Sequence, residues 1–120
     1  MKRMLTTLAI VWGITVSLSA CQAAEPVELG ADAVIIDVRT PEEFSTGHLE
    51  GAINIDVQSP EFAEQIMALD KNGEYFVYCR SGNRSGQAIA QMAQMGFSDM
   101  VNGGSVEEAS SASGLEVVTN

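Results

Sequence analysis

The chain has 120 residues and a formal net charge of −10 at pH 7, with 46% hydrophobic and 18% charged residues. This length gives one domain with a modest hydrophobic core. The excess of acidic side chains argues against binding to nucleic acid and against electrostatic attraction to anionic lipid, because both of those surfaces are negatively charged. An anionic substrate therefore requires a local group of basic side chains.

The first element is an export signal at the N-terminus. Lys2 and Arg3 precede an apolar run from Met4 to Ala20, which has the length of a signal-peptide hydrophobic region. The run ends on Leu18-Ser19-Ala20-Cys21, which resembles the lipobox of bacterial lipoproteins and predicts lipidation of Cys21. Ordinary cleavage near Ala23 or Ala24 is the alternative.

We accordingly expect a lipoprotein signal peptide over residues 1–20, a tether over 21–30 and a folded domain over 31–120. The protein is expected to be exported and held by its lipid on the periplasmic side of a bacterial envelope. The choice between inner and outer membrane stays open, although Gln22 lacks the acidic character of an inner-membrane retention signal and so allows the outer membrane. Lipidation of Cys21 would leave Cys79 as the only free thiol, so no intramolecular disulfide can form.

The first half of the domain begins with a buried strand. The apolar run Ala33–Val38 predicts it, and Thr40-Pro41-Glu42-Glu43 then starts a helix with an N-cap, a first-turn proline and a capping-box glutamate. Gly47 ends this helix. Residues 48–52 are predicted to form a turn before a brief strand at Ile53–Ile55.

The second half repeats the alternation of helix and strand. Ser59-Pro60 starts a helix that ends at Asn72-Gly73, and an aromatic strand follows at Tyr75–Tyr78. A third helix is predicted over Gln87–Met95, and a short strand at Met100-Val101. The predicted buried side chains are Phe62, Ile66 and Leu69 in the second helix and Ile89, Met92, Ala93 and Gly96 in the third.

After Gly103-Gly104 the pattern predicts only a poorly anchored helix over Ser105–Ser113, with a candidate edge strand at residues 115–118. The alternation as a whole predicts an α/β domain with a mainly parallel sheet, whose ligands bind beyond the carboxyl ends of the strands.

Cys79 lies at such a strand end. It is followed by a polar loop containing Gly82 and then by a helix, so its sulfur is expected at a helix N-terminus, which favours the thiolate and a bound anion. Two of the six basic residues, Arg80 and Arg84, lie in this loop. The alternative for a single cysteine is a small buried side chain without chemistry.

Three stretches together carry a family resemblance. Asp37–Phe44 followed by Gly47–Ile55, the loop Cys79–Ser85, and Asn102-Gly103-Gly104 resemble the signatures of the single-domain rhodaneses, a sulfurtransferase family, over about residues 28–118. The resemblance implies a three-layer fold with helices on both sides of the sheet. We expect a monomer, and we expect no cofactor or metal, since the sequence supplies no metal-ligand cluster.

The resemblance further implies a reaction. Cys79 takes sulfur from a small anionic donor such as thiosulfate, carries it as a persulfide and passes it to cyanide or a thiol. The substrate-binding residues implied are Arg80, Ser81, Gly82, Asn83, Arg84 and Ser85. Arg84 is alternatively a loop-shaping ion-pair partner. Ser81 and Ser85 are expected to donate to the sulfur or to cap the helix, with capping favoured for Ser85.

The supporting residues implied are Asp37, Arg39, Glu43 and His48. Asp37 and Glu43 are expected to pair with Arg39, and a catalytic role for this group or a Cys–His dyad with His48 is the less favoured interpretation. Two other functions stay open: a sulfur carrier or interaction module with little turnover, and a cysteine phosphatase or arsenate reductase. The latter enzymes have five residues between cysteine and arginine, whereas four separate Cys79 from Arg84.

One departure from the family pattern concerns the C-terminus. The family commonly has a tryptophan shortly after the paired glycines, and this chain has Ser105-Val106-Glu107-Glu108-Ala109 there. Loss of such a contact predicts lower stability or a frayed final helix unless the site is repacked.

Overall fold

The computed structural model of the chain describes residues 25–119. Its strands are β1 Val34–Asp37, β2 His48–Leu49, β3 Ile53–Asn54, β4 Tyr75–Tyr78, β5 Met100–Gly104 and β6 Val117–Val118. Its helices are α1 Pro41–Thr46, α2 Phe62–Met67, α3 Asn83–Gln94 and α4 Val106–Ser113. The predicted signal peptide, Cys21 and residues 22–24 of the predicted tether lie outside the described residues. No helix within residues 25–119 has the length and apolar character to span a membrane.

The main sheet has the strand order β3-β1-β4-β5, and each neighbouring pair is parallel. Its central strands are buried on both faces, which explains their continuous apolar sequences. In β4, Tyr75 and Val77 face one core with α2 and α3, while Phe76 and Tyr78 face a second core with α4 and β2. The predicted α/β fold with three layers and a mainly parallel sheet is therefore confirmed.

The predicted start of α1 is also confirmed. Thr40 accepts a hydrogen bond from the backbone of Glu43, whose side chain returns to the Thr40 backbone, and Gly47 follows the last turn. In contrast, the turn predicted over residues 48–52 is wrong at its start, because His48 and Leu49 form a strand antiparallel to Val118 and Val117. The partner strand is almost seventy residues away in the sequence, so no local signal marks it.

Helix α3 begins at Asn83, four residues before its predicted start. The first turn of α3 contains Asn83, Ser85 and Gly86, which have low helix propensity. It is nevertheless helical, because Ser85 is fully buried, as are Ala88 and Met92 further along the helix. The predicted burial of Ala93 and Gly96 is wrong, since both are exposed. The buried face of α3 is therefore formed by Ser85, Ala88 and Met92, not by the predicted face that includes Ala93 and Gly96.

The C-terminal helix is better anchored than the sequence predicts. Ser105 and Glu108 form a complete capping box, and Ala109 and Ala112 are buried in the core that contains Phe76. Small side chains let α4 pack closely on the sheet where no tryptophan is present. The prediction of a poorly anchored C-terminal helix is therefore wrong. The predicted lower stability of the protein stays a prediction.

A bulge in β5 explains the paired glycines. Val77 pairs with Asn102 and Tyr78 with Gly104, so Gly103 is the extra residue. A Cβ at Gly103 would lie 2.7 Å from the Phe76 ring, and Gly104 has a φ of +80°. The bulge brings the Gly104 carbonyl oxygen within 2.9 Å of the Cys79 nitrogen, which aligns the end of β5 with the cysteine loop.

Candidate active site

Cys79 follows the last residue of β4 at the carboxyl edge of the sheet. It is a free cysteine and its exposed fraction is 0%. The loop after it reaches α3 through Gly82, whose φ of +93° places it in the left-handed region, and the helix has no side-chain N-cap. The first N–H groups of the helix therefore stay available for the sulfur.

Hydrogen bonds converge on the sulfur atom. The Gly82 N–H donates to Cys79 Sγ at 2.9 Å, and the Ser85 Oγ lies 3.4 Å from it. Burial raises the pKa of the thiol, but hydrogen bonds from the Ser85 side chain and from the backbone of Ser85, Ser81 and Gly82 outweigh burial. The pKa of Cys79 therefore lies below its ordinary value, and the thiolate, which is the nucleophilic form, is favoured.

Ser85 does not cap the helix, which corrects the favoured sequence interpretation. It is the third residue of α3 and its hydroxyl donates to Asn102 Oδ1 at 2.7 Å. Asn102 also accepts from the Gly104 N–H at 2.9 Å and donates through Nδ2 to the Gly82 carbonyl at 3.0 Å. Asn102 is not among the predicted site residues, although its position directly after the predicted strand Met100-Val101 is a signal that could have indicated it.

Arg84 is held by an acidic partner. Its Nη1 and Nη2 atoms donate to the two carboxylate oxygens of Glu43 at 2.7 and 2.9 Å. The Arg84 guanidinium, together with Thr40, lowers the pKa of Glu43 from 4.5 to about 2. Glu43 therefore pairs with Arg84, not with Arg39 as predicted, and this pair ties α1 to the cysteine loop.

Arg39 and Asp37 form a separate, buried pair. Arg39 Nη2 donates to Asp37 Oδ2 and to the Gly47 carbonyl, each at 2.6 Å, and the Arg39 backbone N–H donates to Asp37 Oδ1 at 2.9 Å. Burial lowers the pKa of Arg39, but its hydrogen bond and charge attraction to Asp37 give a net increase. The pair braces the corner between β1 and α1.

His48 lies apart from the sulfur. Its ring stacks on Phe44 with centroids 3.7 Å apart, and Nδ1 donates to the Phe44 carbonyl oxygen at 2.9 Å. Because a carbonyl oxygen can only accept, Nδ1 carries the proton. The hydrogen bonds of the described residues thus connect His48 to α1, and they do not form a dyad with Cys79.

A cavity of about 460 Å³ borders the loop at Arg80. Glutamates contribute much of its wall, and its lining residues are Arg39, Glu42, Glu43, Thr46, Arg80, Val106 and Glu107. Among the arginines of residues 25–119, Arg80 is the one without an ion pair. Arg80 is exposed, so its charge is the one free to meet an anion.

Two other predicted loop residues, Ser81 and Asn83, follow Arg80 in the chain. Ser81 and Asn83 are exposed, and the Asn83 N–H lies 3.4 Å from Ser81 Oγ. Within residues 25–119, no group of three or more His, Cys, Asp or Glu side chains is arranged to hold a metal ion. The groups that the structure places at the sulfur and at the cavity are the thiol, the loop N–H groups and Arg80.

Comparisons with known proteins agree with this geometry. The family described as Rhodanese-like domain matches residues 19–108. The chain is 37% identical over 73 residues to thiosulfate sulfurtransferase PspE of Escherichia coli, covering 61% of this chain and 70% of that protein. It is 39% identical over 79 residues to thiosulfate sulfurtransferase GlpE of Pseudomonas aeruginosa, covering 66% and 68%.

Solved structures show the same fold. A rhodanese with anions from E. coli matches with a TM-score of 0.60 and 32% identity, covering 73% of this chain and 99% of that one. A rhodanese-related protein from Thermoplasma volcanium also gives a TM-score of 0.60, with 30% identity and coverage of 74% and 86%. Both matches span most of the described domain.

Proposed function

Because this chain belongs to the rhodanese family, we propose that it is a thiosulfate sulfurtransferase in which Cys79 carries the transferred sulfur as a persulfide. One observation carries the proposal: Cys79 Sγ receives the Gly82 N–H at 2.9 Å at the start of α3. This N–H, together with the other loop dipoles, stabilises negative charge on sulfur before the reaction and during it.

The first step loads the enzyme. The Cys79 thiolate attacks the outer sulfur of thiosulfate, a bond forms between that sulfur and Sγ, and the sulfur–sulfur bond within thiosulfate breaks. Sulfite leaves with the electron pair of the broken bond. The negative charge of the resulting persulfide remains within reach of the donors that held the thiolate.

The second step unloads the enzyme. Cyanide or a thiol attacks the outer persulfide sulfur, and the electron pair of the broken bond returns to Sγ as the thiolate. The product is thiocyanate or a new persulfide. A low pKa favours this step as well, because a more stable thiolate is a better leaving group.

Arg80 is the proposed ligand for the donor oxygens. It is exposed, follows Cys79 directly, and has no ion pair among the described residues, whereas Arg84 is engaged by Glu43 at both terminal nitrogens. We therefore assign Arg84 to holding the loop. The same engagement argues against the phosphatase alternative, which needs its arginine to face the oxyanion. Arg80→Ala should raise KM for thiosulfate more than it lowers kcat.

The decisive experiment removes the nucleophile. Sulfite release from thiosulfate plus cyanide should disappear in Cys79→Ser, and the gain of one sulfur atom in intact mass after incubation with thiosulfate should disappear with it. Cys21→Ser is the matched control and should keep both signals. Undiminished turnover in Cys79→Ser would end the assignment.

The full burial of Cys79 favours one competing function, a sulfur carrier with little turnover. A buried persulfide is protected from acceptors until the loop or a partner opens the site. Loading with thiosulfate but no loss of the added sulfur to cyanide or small thiols would support the carrier. Release within the time of a steady-state assay would support the enzyme.

We also propose that the domain is exported and anchored to the periplasmic side of a bacterial envelope through a lipid on Cys21. The support is the apolar run that ends on Ser19, Ala20 and Cys21. Intact mass of the protein isolated from its native membrane should show loss of residues 1–20 and an acylated Cys21. Cleavage after Ala23 without acylation would contradict it.

A further inference from the structure

The orientation of the Asn102 amide is fixed by its backbone partners. Oδ1 must face the Gly104 N–H, which can only donate and lies 2.9 Å away, and Nδ2 must face the Gly82 carbonyl oxygen at 3.0 Å. The same Oδ1 lies 2.7 Å from Ser85 Oγ. Since a carbonyl oxygen can only accept, Ser85 must donate its hydroxyl proton to Asn102.

Ser85 has one hydroxyl proton and two neighbours that can take it. While the proton points to Asn102 Oδ1, Ser85 Oγ can only accept at its 3.4 Å contact with Cys79 Sγ. This fits a protonated thiol, whose S–H then donates to Ser85. It does not fit a thiolate, which has no proton to give.

We propose that Asn102 is a positioning residue that holds the Ser85 hydroxyl proton while Cys79 is a thiol and yields it to the sulfur when the thiolate forms. The inference deepens the proposed function, because it concerns the same nucleophile. When Cys79 ionises, the thiol proton leaves to solvent and the Ser85 hydroxyl rotates toward Sγ. No bond between heavy atoms changes.

Asn102 is suited to give up this hydrogen bond. Its Oδ1 keeps the Gly104 N–H and its Nδ2 keeps the Gly82 carbonyl, so neither end of the amide loses all its partners. The buried Ser85 hydroxyl, in contrast, always has one acceptor available. Unpaired buried polar groups are costly, and neither proton position leaves the Ser85 hydroxyl without an acceptor.

The proposal gives Asn102 and Ser85 opposite effects on the thiolate. Ser85 favours the ionised sulfur by donating to it, and Asn102 opposes ionisation by competing for the same proton. Arg84 also acts on Cys79 by charge, and it is in turn influenced by Glu43 and Asp56. These charged groups are not bonded to the Asn102 side chain, so their effect is present in all variants compared below.

The test is a double-mutant cycle on the ionisation of Cys79. The rate of Cys79 alkylation by iodoacetamide would be measured against pH in the full chain, with the modified peptide quantified by mass so that Cys21 does not interfere. The variants are Asn102→Ala, Ser85→Ala and their combination. Asn54→Ala is the matched control, because the Asn54 side chain also bonds the backbone at two places, the carbonyls of Asp37 and Arg39, and neither of these two bonds involves Ser85.

The cycle separates proton competition from simple loosening of the loop. In the Ser85→Ala background, Asn102→Ala can act only by releasing the Gly82 carbonyl and the Gly104 N–H. With Ser85 present, Asn102→Ala should also free the Ser85 hydroxyl to donate to the sulfur. At pH values below the pKa of Cys79, Asn102→Ala should therefore increase the thiolate fraction about tenfold more when Ser85 is present than in the Ser85→Ala background. Ser85→Ala alone should reduce that fraction, and Asn54→Ala should show no dependence on Ser85.

An effect of Asn102→Ala that is equal with and without Ser85 would overturn the proposal. If Asn102→Ala does not fold, Asn102→Asp gives the same test with the opposite sign, since a carboxylate holds the Ser85 proton more strongly. An effect of Asn102→Asp on Cys79 ionisation that is the same with and without Ser85 would again contradict the proposal. These measurements use no sulfur donor, so a failed sulfite assay would refute the proposed enzyme while leaving this result intact.

Discussion

Two strand-to-helix corners lie at the same edge of the sheet and use their helix N-termini differently. After β1, Thr40 and Glu43 complete a capping box and Asp37 pairs with Arg39, so the polar groups of the corner are satisfied within it. After β4, Gly82 takes the capping position without a side chain and its N–H points to the Cys79 sulfur. The second corner thus leaves its N–H donors to the Cys79 sulfur, while the side chains of the first corner bind one another and make it rigid.

The two corners are also linked. Glu43 belongs to the cap of α1 and binds Arg84 of α3 through both carboxylate oxygens. The rigid corner thereby fixes the position of the reactive one. Changes at the first corner should lower stability, and changes at the second should alter the reactivity of Cys79.

The largest effect is expected from Arg39→Ala. The substitution removes the guanidinium that pairs with Asp37, whose exposed fraction is 0%. Because it leaves a buried carboxylate without its partner, we expect the free energy of unfolding to fall by about 3–5 kcal/mol. Urea unfolding would measure the loss. Arg80→Ala, which removes an exposed arginine, is the control and should change stability by less than about 0.5 kcal/mol. A similar, small change in both variants would mean that the first corner is not the rigid one.

Gly82→Ala should affect both stability and reactivity. A side chain at φ +93° costs about 1–2 kcal/mol, and its Cβ would lie 3.3 Å from Gly104 Cα. Displacement of the Gly82 N–H should slow Cys79 alkylation. Gly51→Ala is the matched control, since Gly51 has a φ of +82° and nothing within 4 Å of its added Cβ. Equal alkylation rates in the two variants would show that the Gly82 N–H does not activate the sulfur.

Glu43→Gln should reveal the link between the corners through its pH dependence. The folded-state pKa of Glu43 is lowered from 4.5 to about 2, so the Arg84 pair stabilises fully above pH 4.5 and is lost as pH falls toward 2. For a partly exposed bidentate pair we expect about 1 kcal/mol near neutral pH. The stability difference from the parent protein should shrink on acidification. A difference that persists at the acid end would indicate loss of packing instead of charge.

The smallest effect is expected from Glu42→Gln and Glu107→Gln. These exposed carboxylates line the cavity beside Arg80, so removing either charge should lower KM for thiosulfate by about twofold at low salt. The gain should fade at high ionic strength because exposed charges are screened. Glu64→Gln, on exposed α2 surface away from the cavity lining, is the control and should leave KM unchanged. A salt-independent change would point to altered shape.

Much of the local structure follows from the sequence alone. The continuous apolar strand at Tyr75–Tyr78 and the start of α1 at Thr40 agree with the structure, because burial pattern and capping act over a few residues. The position of Cys79 at a strand end is likewise local. The early start of α3 was missed because Ser85 is buried by contacts from another strand, which override its weak helix propensity.

The sequence by itself determined the fold class and the family, and it indicated Cys79 as the candidate nucleophile, since each depends on short-range pattern. Only the tertiary structure decided which arginine is free: Arg84 is bound to Glu43, 41 residues away, and Arg80 has no ion pair within residues 25–119. It also brought Asn102 to Ser85 across 17 residues and paired β2 with β6. These contacts join segments that are distant in the sequence, and neither hydrophobic periodicity nor motif spacing predicts which distant segments come into contact.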